Sequence, residues 1–103
     1  MYELNGKTAI VTGAGGRAGI GREIAKRLAA EGASVAVCDL NYCSTPDWGG
    51  LQAVVDEINT EGGSAVGLTG SVSDSSDVAS IIEGAISAFG QIDILVNNAG
   101  VVG

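Results

Sequence analysis

The sequence predicts an α/β fold, a doubly wound parallel sheet, and three observations carry that prediction. Four short apolar runs alternate with three amphipathic helical patterns along the chain. The runs are almost continuously apolar, as strands buried on both faces must be. A glycine-rich turn joins the first run to the first helical pattern, where such folds change from strand to helix.

Residues 8–12 (TAIVT) are rich in β-branched side chains and read as the first buried strand. From Ile20 the period changes. Ile20, Ile24, Ala25, Leu28 and Ala29 share one helical face, Arg22, Glu23, Lys26 and Arg27 share the other, and Gly32 is a natural stop. The second strand is 34–39 (SVAVCD). Residues 41–50 (NYCSTPDWGG) hold the only proline and the only tryptophan and read as a loop. A second helix follows at about 50–61, with Leu51, Val54, Val55 and Ile58 as its apolar stripe. Residues 64–69 (SAVGLT) form the third strand, which Gly67 should weaken. Asp74 is placed to cap a third helix that carries Val78, Ile81, Ile82, Ala85, Ile86 and Phe89, and Gly90 closes it. The fourth strand is expected over 92–98 (IDILVNN). Right-handed crossovers between these elements give strand order 3-2-1-4, with the switch point between the first and fourth strands.

A chain of 103 residues is one domain, and 46% apolar residues suffice for a core. Five basic residues against twelve acidic ones leave a net charge of −7, which disfavours nucleic acid and anionic membranes as partners. A phosphate held by such a chain must therefore be held locally, by backbone N–H groups. No apolar run approaches the ~18 residues of a membrane span, and the N-terminus does not resemble a signal peptide. There is no histidine. Cys38, in an apolar run, and Cys43, in a polar loop, read as idle thiols of a cytoplasmic protein, and no metal site is expected.

The stretch "VTGAGGRAGIGRE" places Gly13, Gly15, Gly16, Gly19 and Gly21 between the first strand and the first helix. A helix start offers unpaired N–H groups and a partial positive charge. Glycine lets the backbone approach a pyrophosphate closely. Glycine-rich loops are common, but here Asp39 ends the second strand, where a carboxylate accepts hydrogen bonds from an adenosine ribose.

These residues also carry a family resemblance. "TGAGGRAGIG" at 12–21, "CDL" at 38–40, "GSVSD" at 70–74 and "IDILVNNAG" at 92–100 resemble the short-chain dehydrogenase/reductase family, in order and across the chain. The resemblance implies a Rossmann-type half-domain that binds NAD(H), with NADP(H) less favoured. It places Gly13, Gly19, Ile20 and Gly21 at the pyrophosphate, and Asp39 with Leu40 beside the adenosine. Ser71 and Val72 fall at the adenine, and Asn98, Ala99 and Gly100 line the cofactor's ribose. Two features depart from the family. The glycine turn is two residues longer, so it should bulge and put Arg17 within reach of a phosphate. Ser71 stands where the family commonly has Asp or Asn against the adenine amino group.

By the same resemblance the family's catalytic serine, Tyr-x-x-x-Lys pair and asparagine lie beyond "NNAG". Neither Tyr2 nor Tyr42 stands in such a pair, so residues 1–103 supply no catalytic residue. The expectation is the N-terminal cofactor half of an NAD(H)-dependent oxidoreductase, truncated after the fourth strand. The complete protein would move a hydride between nicotinamide and an alcohol or carbonyl substrate. A non-catalytic nucleotide-binding or sensing module is the alternative. The charge of Asp39 repels a 2′-phosphate and favours NAD(H), while Arg17 and Arg22 argue mildly the other way. An apolar fourth strand left on an edge should make the chain self-associate.

Overall fold

The computed structural model describes residues 4–15, 19–40, 49–71 and 73–97. The elements follow in the expected alternation: β1 (Thr8–Thr12), α1 (Ile20–Ala30), β2 (Ser34–Asp39), α2 (Gly50–Thr60), β3 (Ser64–Thr69), α3 (Ser75–Phe89) and β4 (Ile94–Val96). The four strands form one parallel sheet in the order β3-β2-β1-β4.

Side chains alternate across the two central strands, and each face of the sheet receives its own core. Val11, Val35 and Val37 point to one face, where Ala25 of α1 and Leu51, Val54, Val55 and Ile58 of α2 bury them. Ile10, Ala36 and Cys38 point to the other, under Ile81 and Ala85 of α3. Such runs read as continuously apolar because both faces are covered. Gly67 is a seat for α2 rather than a weak point of β3. A Cβ there would stand 3.3 Å from Val55 and 3.5 Å from Leu51, so its absence lets the helix approach.

The helix ends follow local chemistry. The Asp74 carboxylate accepts the Ser76 and Asp77 N–H groups at the start of α3, and Gly90 ends that helix at φ 85°. Helices α1 and α2 are joined on their polar flanks. Arg22 Nε donates to Glu57 Oε1 at 2.9 Å, Arg22 Nη2 bonds Glu57 Oε2, and Lys26 Nζ lies 3.7 Å from the same carboxylate. Arg22, expected on a solvent face, is thus half-buried against α2.

The fourth strand is shorter than the 92–98 expected, because a side chain replaces part of its ladder. Asp93 N donates to Thr8 O at 2.9 Å, while the Asp93 carboxylate accepts the Thr8 N–H, also at 2.9 Å. Regular pairing starts only at Ile94. Leu95 in β4 is 65% exposed, as expected of a strand with a partner on one side.

Candidate functional site

The segments that leave β1 and β3 meet at the end of β2, around the main chain and side chain of Asp39. β1 ends at Thr12 and the chain turns at Gly13, whose φ of 67° lies in the left-handed region that glycine adopts without steric cost. The turn then docks on the end of β2. Ala14 N donates to Cys38 O at 3.0 Å, and Gly15 N donates to Asp39 Oδ2 at 2.9 Å. The other carboxylate oxygen, Oδ1, accepts the Leu40 N–H at 2.8 Å. Gly70 N, leaving β3, donates to Asp39 O at 2.9 Å. Two backbone donors therefore fix the orientation of a half-buried carboxylate beside the glycine turn.

Helix α1 begins at Ile20, five residues beyond the Gly15 N–H that meets this carboxylate. Gly19 is its N-cap, extended at φ −76° and ψ 147°, and as a glycine it offers the helix no side-chain cap. A helix start of this kind carries a partial positive charge and N–H groups that suit an anion. Helix α2 also begins without a side-chain cap, so that feature alone marks nothing. What sets α1 apart is that it follows β1 and the turn docked on Asp39. Gly21 is buried in the first turn of α1, whereas Ile20 and Leu40 are exposed.

At the end of β3, Ser71 is half-buried and held by the start of α3. Its N–H donates to Asp77 Oδ2 at 2.9 Å, and its hydroxyl accepts the Ser73 N–H at 3.2 Å. Between β1 and β4, the Thr12 hydroxyl lies 3.3 Å from both Val96 O and Asn97 Oδ1, so Asn97 ties neighbouring strands together. An apolar groove of about 270 Å³ opens beside them, lined by Ile10, Thr12, Val78, Ile82, Leu95 and Asn97 among others.

Of the residues expected at a cofactor, Gly13, Gly19, Ile20, Gly21, Asp39, Leu40 and Ser71 all lie at this end of the sheet. Arg17, Val72, Asn98, Ala99 and Gly100 lie outside the described residues. The role of the Gly15 N–H was missed by the sequence reading. No residue type marks it, since a backbone donor is visible only once the turn has folded onto β2. Next to Asp39, the Cys38 thiol is pushed up to about 12, mainly by burial and secondarily by the Asp39 charge, so it stays protonated at neutral pH. Among the described residues no cluster of acidic or thiol groups is arranged to hold a metal ion, and no helix is long and apolar enough to cross a membrane.

The sequence model of the short chain dehydrogenase family matches residues 7–103. The chain belongs to the short chain dehydrogenase family. An oxidoreductase of Methylorubrum extorquens is 45% identical over 101 residues, which are 98% of this chain and 38% of that protein. A 7α-hydroxysteroid dehydrogenase solved with NADH and 7-oxo glycochenodeoxycholic acid is 43% identical with a TM-score of 0.80, over 92% of this chain and 34% of that one. A metagenomic short-chain oxidoreductase solved with NADP has the same TM-score at 39% identity, over 95% of this chain and 41% of that one. This short chain dehydrogenase sequence thus spans well under half the length of the relatives it matches.

Proposed function

We propose that this chain holds NAD(H) across the C-terminal edge of its sheet, as the cofactor-binding part of an oxidoreductase acting on an alcohol or carbonyl substrate. One observation carries the reading: the Asp39 carboxylate, oriented by the Gly15 and Leu40 N–H groups, stands beside a glycine turn that leads to a helix with glycine as its N-cap. The fit to a dinucleotide is chemical. Backbone N–H groups at Gly19 and beyond suit a pyrophosphate, and a carboxylate acceptor suits a ribose diol. The bound nicotinamide would supply hydride transfer; the chain's own residues bind and orient.

Asp39 also sets the preference between cofactors. Its negative charge opposes a 2′-phosphate, and the guanidinium of Arg22 is engaged by Glu57 on α2. Arg17 on the longer turn, Val72 against the adenine ring, and Asn98, Ala99 and Gly100 beside the ribose complete the proposed site. A second reading, a module that binds nucleotide without catalysis, uses the same residues and differs only in what lies beyond the site. Calorimetric titration with NAD and NADP at one ionic strength tests the proposal. NAD is expected to bind more tightly; tighter NADP binding overturns the preference, and failure of both overturns the site.

A further inference from the structure

The chain holds five asparagines, and only Asn5 is followed by glycine. Asn5 and Gly6 are the exposed centre of a turn, which Lys7 N closes by donating to Leu4 O at 2.9 Å. Gly6 sits there at φ 82°. The turn is anchored on both sides. Leu4 N donates to Glu31 O at 2.8 Å, Ser34 N donates to Lys7 O at 2.9 Å, and Gln91 Nε2 donates to Gly6 O. Its centre is open to solvent. Among the described residues the Gly6 N–H donates to no acceptor, and a Cβ built on Gly6 would meet nothing within 4 Å.

We propose that Asn5 is a site of spontaneous deamidation, with the Gly6 main-chain nitrogen as the nucleophile. That nitrogen gives up its proton to solvent and bonds to Asn5 Cγ. The Cγ–Nδ2 bond breaks, the leaving nitrogen takes a proton and departs as ammonia, and a cyclic succinimide remains. Water then opens the ring at either carbonyl and yields aspartate or isoaspartate, with no net oxidation or reduction. Glycine suits the step because no Cβ hinders the approach of its nitrogen to Cγ. The other described asparagines are placed against it. Asn59 precedes Thr60 within α2, and its side chain accepts the Ala65 N–H at 2.9 Å. Asn97 precedes Asn98, and its Oδ1 lies 3.3 Å from the Thr12 hydroxyl. Conversion of Asn5 reaches the fold through α1. The Asn5 side chain fills the space that a Cβ on Gly32 would take, just past the C-cap of that helix at Glu31. A carboxylate there faces the partial negative charge of a helix end. Isoaspartate also lengthens the main chain inside the turn that Lys7 and Leu4 close.

The test is incubation of the 103-residue chain in mildly alkaline buffer, with products located by peptide mass mapping and an isoaspartate assay. Residue 5 is expected to convert at least about tenfold faster than Asn59 or Asn97, with isoaspartate among its products. A Gly6→Ala chain should convert at least about tenfold more slowly at residue 5, with Asn59 unaffected. The converted chain should unfold at a lower temperature than the fresh one. The inference is overturned if residue 5 converts no faster than Asn59 or Asn97, or if a folded Gly6→Ala chain converts at the original rate. Aspartate alone at residue 5 also overturns it, because direct hydrolysis of the amide makes no isoaspartate. If Gly6→Ala does not fold, the isoaspartate found in the unaltered chain decides. An unshifted melting temperature in the converted chain overturns the stated effect on α1.

Discussion

Asp39→Ala removes one acceptor from two backbone donors and, on the proposed reading, from the ribose as well. The Gly15 N–H at 2.9 Å and the Leu40 N–H at 2.8 Å both lose the carboxylate. Leu40 is exposed, so water replaces its acceptor at little cost. Gly15 is buried at the root of the turn, and losing that bond should cost about 1 kcal/mol of stability. NAD binding should weaken by about 1–2 kcal/mol, roughly five- to thirtyfold in Kd. Part of that loss comes from a looser turn, and Asp39→Asn separates the two effects. The amide keeps an acceptor for Gly15 but drops the charge, so most of the stability should remain while the penalty against NADP falls. Thermal unfolding and calorimetry at fixed ionic strength measure both quantities. Wild-type affinity for NAD in Asp39→Ala would refute the ribose contact.

Gly19→Val should abolish dinucleotide binding with helical circular dichroism largely kept, because a side chain there would occupy the pyrophosphate's place, whereas Gly21→Val, at a buried position, should lower stability as well as binding; binding that survives Gly19→Val would put the ligand elsewhere. The Arg22 guanidinium, through its hydrogen bonds, holds the Glu57 carboxyl below its ordinary value of 4.5. The stability this pair adds is therefore present above that value and lost as pH falls through the lower folded one. Glu57→Gln should cost about 1 kcal/mol near neutral pH, with the gap to wild type closing as pH falls below Glu57's ordinary value; a constant gap would show that packing, not charge, is responsible. Lacking a Tyr-x-x-x-Lys pair, the 103-residue chain should show no dehydrogenase turnover, and its exposed Leu95, Ile82 and Ile86 should make it associate in sedimentation. Turnover, or a stable monomer, would contradict the corresponding half of that statement.

The order of elements was legible because each has a local signature. TAIVT and SVAVCD are almost continuously apolar, as strands covered on both faces are, and Asp74 and Gly90 mark α3 with their own cap chemistry. What stayed hidden depends on groups that meet only after folding. The start of β4 was misread because Asp93 looks like one more residue of the run, yet its carboxylate takes the Thr8 N–H and regular pairing begins one residue later. Gly67 looked like a defect because its partners, Leu51 and Val55, lie on a helix whose approach no local pattern reports. At the site, Asp39 was found from its position after β2, whereas its anchoring by Gly15 comes from a segment two dozen residues earlier.

Arg22 shows how such long-range pairing changes a functional argument. In the sequence it stands directly after Gly21, where a cation argues for a ligand with an extra phosphate. In the fold its guanidinium meets Glu57 through two of its nitrogens, and Lys26 reaches both Glu57 and Glu61 on the same flank. A bidentate ion pair of this kind fixes direction as well as charge. It turns the Arg22 side chain along α2. The carboxylate of Asp39, by contrast, is turned toward the glycine turn by the turn's own backbone. On the proposed reading, cofactor preference then depends on how Gly15 and Asp39 are held together more than on the count of basic residues nearby. Gly15 belongs to the stretch in which the turn is longer than the family's usual form. Gly15 and the Asp39 carboxylate therefore act as one structural unit, and shortening the turn at Gly15 should disturb ribose binding as much as phosphate binding.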